Sequence, residues 1–529
     1  MKKLSIFLSA LCLCAFTYKA TAQFSGGNGS ENNPYIITTA EEFVLLGTLV
    51  ESDNDNFNDK CYKLGNDISL SAYQSGAGWK PIGYVGWFID HAFHGVLDGD
   101  NKKITGLVIN NTSLMYAGLF GAVTNGTVKN ITIENVNIKA DSDIGGVSGY
   151  IKNTTITNCY TSGKINGVGA WGCGGIVGCA YGCFMSDCNS TCEVSGGMWV
   201  GGVAGNFSDF GTMKNCYSTG DITGNSGSVG GLVGDIEGTV SYCYSTGKVT
   251  SGGDQVGGVT GYLGGSLSNC YSTSDVIGYN TVGGIAGYVR YGASVSNCYS
   301  TGKIIGNTNQ VGGIAGYVDW EYISGTVSNC VALNPSVNAT GNYVGRVVGL
   351  NDLGELTNNA AWDGMETIYG NKVWFNIGAN KEDGVNMSNQ TIQTDGTLGY
   401  RFMNAYGWTT QNGKLPGLFG KPVEMPAHLG GVGIDEQLQV TSYELQVYPN
   451  PTNGELRVTS DELQVTSIEV FDVYGRKYEI PRFARNDAGN STLGVASTLR
   501  LDISHLPAGI YFLKFETEKG PVMKKVVKQ

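Results

Sequence analysis

The chain has 529 residues, including 81 glycines and 29 tyrosines, only 15% charged residues, and a formal net charge of −12 at pH 7. Its length allows more than one domain. Its acidic balance excludes a nucleic-acid binder, which needs a basic face. Glycine at about twice its usual share of ~7%, without a Gly-X-Y period, excludes collagen and points to turns and short strands rather than helices.

The first element is a secretory signal. Lys2 and Lys3 precede an apolar run over residues 4–16, and Ala20-Thr21-Ala22 is a small-residue cleavage site. Residues 1–22 therefore read as a signal peptide, cut before Gln23. A lipoprotein reading is weaker, because a large leucine precedes both Cys12 and Cys14. Beyond Gln23 no apolar run approaches the ~20 residues needed to span a bilayer. The mature chain is expected to be soluble and outside the cytoplasm. Next, Thr39 is placed to cap a helix that starts at Ala40. Glu42 sits at the capping-box position ahead of "FVLLGTLV". This amphipathic helix is predicted to cover the N-terminal end of the repetitive region downstream.

Residues 117–350 are repetitive. A Gly-Gly-x-x-Gly block begins at Gly145, Gly174, Gly201, Gly230, Gly257, Gly283 and Gly312. The step is roughly 28 residues, a solenoid period. Cysteines keep the same step: Cys159, Cys188, Cys216, Cys243, Cys270, Cys298 and Cys330. Short strand-like segments parted by Gly and Asn, repeated in this way, stack best as parallel coils ~4.8 Å apart. The predicted fold is all-β: a right-handed parallel β-helix of about nine or ten coils, followed by a small β-sandwich. Identical residues then lie above one another. Asn158, Asn215, Asn269, Asn297 and Asn329 are expected to form an amide ladder, and Tyr160, Tyr217, Tyr244, Tyr271 and Tyr299 a ring stack. The paired glycines are assigned to tight corners or positive φ. Residues 351–426 lose the repeat, and their aromatics are expected to cover the last coil.

The tail alternates β-type segments with Asn-Pro, Asn-Gly, Tyr-Gly and Pro-Ala-Gly turns. The predicted organisation is residues 1–22 signal, 23–425 capped solenoid, 426–442 linker and 443–529 C-terminal domain.

These residues carry two resemblances. "NPYIITTAEEFVLLGTLV", "KCYKLGNDISLS", "WKPIG", "FHGVLDGDNKKITGLVIN" and "AGLFG", in order before the glycine array, resemble the GLUG-repeat proteins of bacterial surfaces over about residues 33–420. That resemblance implies a β-helical surface domain, found in adhesin-like proteins and beside some IgA-cleaving metallopeptidases. The catalytic half of those peptidases has no counterpart, because the chain has no H-E-x-x-H and only His91, His94, His428 and His505.

"LQVYPNPTNGELRV", "IEVFDVYGRK", "LDISHLPAGIYFLKF" and "VMKKVVKQ" resemble a type IX secretion C-terminal sorting domain of Bacteroidetes-type bacteria. The positions matching its motifs are Pro449, Asn450, Pro451, Gly454, Gly475, Leu506, Pro507, Gly509, Tyr511, Lys524 and Lys525. This resemblance implies export across the outer membrane by the type IX machinery. It also implies removal of the domain and anchoring of the remainder to surface lipopolysaccharide. Residues 478–498 exceed the usual connection and read as a loop insertion.

The periodic cysteines read as small buried fillers carrying free thiols. Thiols stacked in a line do not surround a metal, and neighbouring in-register Cβ atoms at ~4.8 Å lie beyond the 3.5–4.5 Å a disulfide prefers. Cys173, Cys179, Cys183 and Cys192 stand outside that pattern. One or two local disulfides and unbridged thiols are equal readings there; a metal site is disfavoured without a C-x-x-C pair.

Asp209, Asp221, Asp235, Glu237, Asp254 and Asp275 show no shared coil position that would line a catalytic cleft. Asp319, Trp320, Glu321 and Tyr322 form a candidate sugar-binding loop, against the blander reading of a loop tucked on its own aromatics. His91 and His94 lack further ligands and read as structural. The expectation is an exported, monomeric, non-enzymatic protein without cofactor, acting in adhesion by binding a glycan or host protein at the cell surface. The alternative is a β-helical polysaccharide lyase or glycoside hydrolase with a dispersed site.

Overall fold

The computed structural model describes residues 24–52, 57–86, 90–169, 171–290, 292–319, 323–367, 374–404, 407–430, 445–448, 452–453, 455–460, 465–472, 476–478, 497–517 and 520–529. The signal segment 1–22, most of the linker 426–442 and the inserted loop at 479–496 lie outside these residues. The chain divides into two compact units, residues 1–423 and 424–529.

The first unit is a parallel β-solenoid. A representative coil has five short strands: Val282–Gly283, Ala286–Val289, Ser294–Ser296, Tyr299–Ser300 and Ile304–Gly306. Each pairs in parallel with its counterpart one coil on, as in Val282↔Val311, Ala286↔Ala315 and Ser294↔Thr326. The Ser294–Ser296 position recurs in twelve coils, from Tyr35–Ile37 to Glu355–Thr357. Twelve replaces the nine or ten expected, giving a rod of about 50 Å. The first coils carry neither the glycine block nor the periodic cysteine, so no repeated letters mark their register. The interior is a column of aliphatics such as Val259, Ile285, Ile314 and Val347, all fully buried.

The corners assign asparagine and glycine different jobs. Asn158, Asn215, Asn269, Asn297 and Asn329 all have φ between 50° and 56°, the left-handed region that Asn tolerates best after Gly. Their amides link coils: Asn158 Nδ2 donates to Asn130 Oδ1 at 2.9 Å, Asn215 Nδ2 to Asp187 Oδ1 at 3.1 Å, and Asn329 Nδ2 to Asn297 Oδ1. Tyr242 occupies this corner in one coil and interrupts the ladder. The paired glycines, by contrast, do not supply positive φ. A Cβ on Gly283 would lie 1.9 Å from the Ala286 carbonyl oxygen, and one on Gly284 2.0 Å from that of Gly313. They are there because neighbouring backbones pass too close for any side chain. The positive φ falls just before them, at residues such as Gln255, Thr281 and Gln310.

Both ends are closed. At one, the helix Ala40–Glu51 has a complete Thr39/Glu42 capping box and buries Phe43, Leu46 and Leu49. At the other, Arg346 replaces the second glycine and is 1% exposed. Its backbone N–H donates to Asp383 Oδ1 at 3.0 Å, and its guanidinium to the carbonyls of Trp362 and Gly384. The Glu382 carbonyl accepts from the N–H groups of Val347 and Val348, ending the ladder of that coil. Of the post-repeat aromatics, Trp374 lies against the Arg346 guanidinium at 6.0 Å at this end, whereas three others lie elsewhere. Phe402, Trp408 and Phe419 run back along the side of the rod, which corrects the expectation that they cover the last coil.

Asp221 and Asp275 do share a coil position, contrary to the sequence reading. They precede Ile222 and Val276, which occupy one column with Val249 and Ile304. Lys248 and Lys303 fill the alternate coils, and their N–H groups donate to Asp221 and Asp275 at 2.8 and 2.7 Å. Alternating charge makes this a backbone-satisfying seam rather than a lined cleft.

The second unit has two antiparallel sheets. One contains Leu445–Tyr448, Glu455–Ser460 and Ser497–Asp502; the other contains Val465–Asp472, Lys477–Tyr478, Gly509–Thr517 and Gly520–Lys528. Leu456, Val458 and Leu501 of the first sheet and Val470, Leu513, Phe515 and Val526 of the second share one core.

Candidate binding face

The residue after each Gly-Gly-x-x-Gly block falls at one fixed position of the coil. In register along one nine-stranded sheet these residues are Tyr150, Cys179, Asn206, Asp235, Tyr262, Tyr288, Tyr317 and Leu350. The last three tyrosines form a ladder. Ring centroids are 5.4 Å apart for Tyr262–Tyr288 and 5.3 Å for Tyr288–Tyr317. All three tyrosines are half-buried.

Asp319 follows the Ala315–Val318 strand at the edge of this ladder. Its carboxylate accepts from Tyr288 Oη at 2.5 Å and from Tyr317 Oη at 3.3 Å. Tyr317 Oη also reaches Asp352 Oδ2 at 3.4 Å. Burial and then the hydrogen bond to Asp319 raise the Tyr288 phenol. Burial, then the charges of Asp319 and Asp352, push Tyr317 up to about 12. Both phenols therefore stay protonated as donors to the carboxylates. Of the loop predicted from sequence, Asp319 is thus placed on the face, while Trp320, Glu321 and Tyr322 lie outside the described residues.

In the two coils before Tyr262 the same column is polar. Asn206 and Asp235 are 5% and 9% exposed, and an oxygen of each has no hydrogen-bond partner among the described residues. Burial, reinforced by Glu237, pushes Asp235 up to about 7, against the opposing pull of Arg290 and Trp199. Further along, Cys179 Sγ donates to Asp143 Oδ1 at 2.9 Å. Burial pushes Asp143 up to about 6, with the Cys179 contact working the other way.

The four irregular cysteines are unbridged thiols in this structure. Cys179 faces Asp143, Cys183 donates to the Tyr181 carbonyl at 3.3 Å, and Cys173 Sγ fills the space beside Gly167 and Gly196. Cys192 is fully buried, its N–H donating to Ser190 Oγ. Each serves a different slot of the coil. The periodic cysteines are also free and buried. Cys243, Cys270 and Cys298 each donate to the carbonyl two residues earlier at 3.1–3.2 Å. Burial raises the thiols of Cys243, Cys270 and Cys330 well above the ordinary value. His94 Nδ1 lies 2.9 Å from both the Thr124 carbonyl and its hydroxyl, and His91 packs on Tyr84 at 5.0 Å. Among the described residues no group of three or more His, Cys, Asp or Glu side chains is placed to hold a metal.

A second tyrosine stack lies on another side of the rod. Tyr217, Tyr244, Tyr271 and Tyr299 are 4.7, 4.8 and 5.2 Å apart and within 8° of parallel. Tyr160 is outside it, because the next coil offers Asn189 at that position. Phe419, Trp408 and Phe402 cover this stack at 5.5–6.3 Å. Tyr299 Oη donates to the Pro416 carbonyl at 2.5 Å.

In the second unit, the matched motif residues that are described shape turns and core. Leu506 and Tyr511 are buried, and Tyr511 Oη donates to the Pro507 carbonyl at 2.8 Å. Lys528 Nζ donates to the Leu506 carbonyl. Gly509 starts the strand that pairs with Lys528, and Lys524 and Lys525 pair opposite Leu513 and Phe512. Pro449, Asn450, Pro451, Gly454 and Gly475 lie outside the described residues.

Comparison with known proteins agrees with both halves. Residues 446–529 match the model of the secretion system C-terminal sorting domain, and residues 278–305 that of the GLUG motif. The chain is 31% identical over 210 residues to Halomucin of Haloquadratum walsbyi, and 34% identical over 145 residues to a protein of Evansella cellulosilytica named as a Gly-rich membrane protein. These alignments cover 40% and 25% of this chain but only 2% and 15% of those relatives. A solved structure bearing the name of an immunoglobulin A1 protease, from Bacteroides ovatus, is 19% identical and covers 76% of this chain and 95% of its own, at a TM-score of 0.33. The chain is therefore a GLUG-repeat protein with a type IX sorting domain, exported to the cell surface or the extracellular space.

Proposed function

We propose that the exported solenoid is a non-enzymatic binding protein acting in adhesion, and that its ligand surface is the sheet face bearing Tyr262, Tyr288 and Tyr317. The observation carrying this reading is the half-buried ring ladder edged by Asp319 and Asp352. Aromatic faces supply large contact area at little entropic cost, and carboxylates fix orientation. The sorting domain delivers that surface to the outside and is then removed, leaving the solenoid anchored to lipopolysaccharide. Screening the purified chain against glycan and protein arrays, with polysaccharide digestion run in parallel, tests the reading. Saturable binding without turnover is expected; release of oligosaccharides from any polysaccharide would overturn it. Deleting residues 443–529 is expected to strand the chain in the periplasm.

One observation favours a second reading, glycan cleavage. Asp235, pushed up to about 7 by burial and by Glu237, adjoins the Tyr262 rung and feels Arg290. A carboxyl titrating near neutrality beside a second carboxylate is the arrangement of a general acid. Its weakness is access, since Asp235 is 9% exposed.

A further inference from the structure

We infer that the ligand of this face is an uncharged, extended, β-linked polysaccharide that lies parallel to the solenoid axis, one sugar ring per coil. The inference rests on the binding reading above and deepens it. Three observations carry it.

The first is periodicity. Tyr262, Tyr288 and Tyr317 stand in direct register one coil apart, a coil step of ~4.8 Å, with ring centroids 5.4 and 5.3 Å apart. A ligand using all three must repeat at about one rung. The rise of a diequatorially linked pyranose chain is close to that step. An extended peptide is not: side chains on one of its faces recur every ~6.7 Å and fall out of step by the third ring.

The second is charge. Among the described residues, the charges acting on these three phenols are Asp235, Glu237, Asp319 and Asp352 against Arg290. Glu237, Asp319 and Asp352 against one guanidinium repel uronates and sulfated sugars. Because Tyr288 and Tyr317 spend their O–H groups on Asp319 and Asp352, what the ladder edge still offers is lone pairs. A row of acceptors suits a ligand rich in hydroxyl donors.

The third is the other stack in the same molecule. Tyr217, Tyr244, Tyr271 and Tyr299 are covered by Phe402, Trp408 and Phe419, so a tyrosine column on this rod is a surface that flat rings occupy.

The test is titration calorimetry of the full-length chain with cello-oligosaccharides of two to six units and with oligogalacturonates of matching length. Affinity is expected to rise from the disaccharide to the trisaccharide, one unit for each of the three rungs, and then level off. Oligogalacturonate should bind at least about tenfold more weakly. Tyr288→Ala should lower cellohexaose affinity about tenfold, while Tyr288→Phe, which keeps the ring, stays close to the parent. Tyr317→Ala serves as a second variant should Tyr288→Ala not fold. Tighter binding of the acidic oligomer, affinity independent of length, or undiminished binding by folded Tyr288→Ala and Tyr317→Ala would each overturn the inference. If arrays return a protein ligand and cello-oligosaccharides do not bind, the inference falls while the binding reading stands. If a polysaccharide is turned over, it is the non-enzymatic reading that falls.

Discussion

The two tyrosine columns differ mainly in what lies on them. One is near-parallel, with interplanar angles of 2–8°, and is roofed by the chain's own Phe402, Trp408 and Phe419. The other has rings at 57° and 24°, is tied at its edge to carboxylates, is half-buried, and carries no such roof among the described residues. The difference teaches that coil stacking alone creates periodic aromatic surfaces. Whether such a surface is structural or available depends on a distant part of the chain. The covered column works for stability; the other is the one we propose for a ligand.

The hardest blow to that contrast comes from the roof. Trp408→Ala should destabilise the first unit by about 3–5 kcal/mol, the usual cost of removing a buried aromatic, read by urea denaturation. A loss no larger than that of an exposed residue would erase the distinction between the columns.

The proposed ligand face carries a titrating fault of its own. Asp235 has a folded pKa of about 7, above its ordinary value near 4, because burial disfavours its charge. Its contribution is fully present below pH 4 and is lost as pH rises through 7. Asp235→Asn is therefore expected to be more stable than the parent at pH 8, by about 2–4 kcal/mol, and equal to it at pH 4. Thermal melts at the two pH values check the sign.

A finer cut is Tyr299→Phe. It removes the hydroxyl that donates to the Pro416 carbonyl and leaves that oxygen unpaired, for a loss of about 1–2 kcal/mol. The smallest effect belongs to the proposed ligand column. Tyr288→Ala should cost less than about 1 kcal/mol in the same denaturation assay, since its ring is only half-buried.

Much of this fold was legible beforehand because it is written as repetition. The cysteine slot, the corner asparagines and the Thr39/Glu42 cap all follow from local pattern and spacing. The first coils were missed because strands such as Tyr35–Ile37 and Cys61–Leu64 keep the solenoid register without its marker letters. The roof was missed because its key bond joins residues 117 positions apart, and no periodicity announces such a contact. The proposed ligand face was legible only in part. Its column position, the residue after the third glycine, reads Tyr, Cys, Asn, Asp, Tyr, Tyr, Tyr, Leu, so identity varies where geometry does not. Asp319 was visible as part of an aromatic loop; its tyrosine partners, 31 and two residues away, were not.

The cysteine column has a consequence beyond packing. Seven consecutive coils each hold one sealed thiol, from Cys159 to Cys330. Such an arrangement is a built-in counter. If the rod frays from an end, the thiols of this column become available to an alkylating reagent one coil at a time, in rising order of number from the Cys159 end and in falling order from the Cys330 end. Pulsed labelling followed by peptide mapping would then read how far an opening has travelled. It would also show whether the rod melts as one cooperative block or unzips from an end.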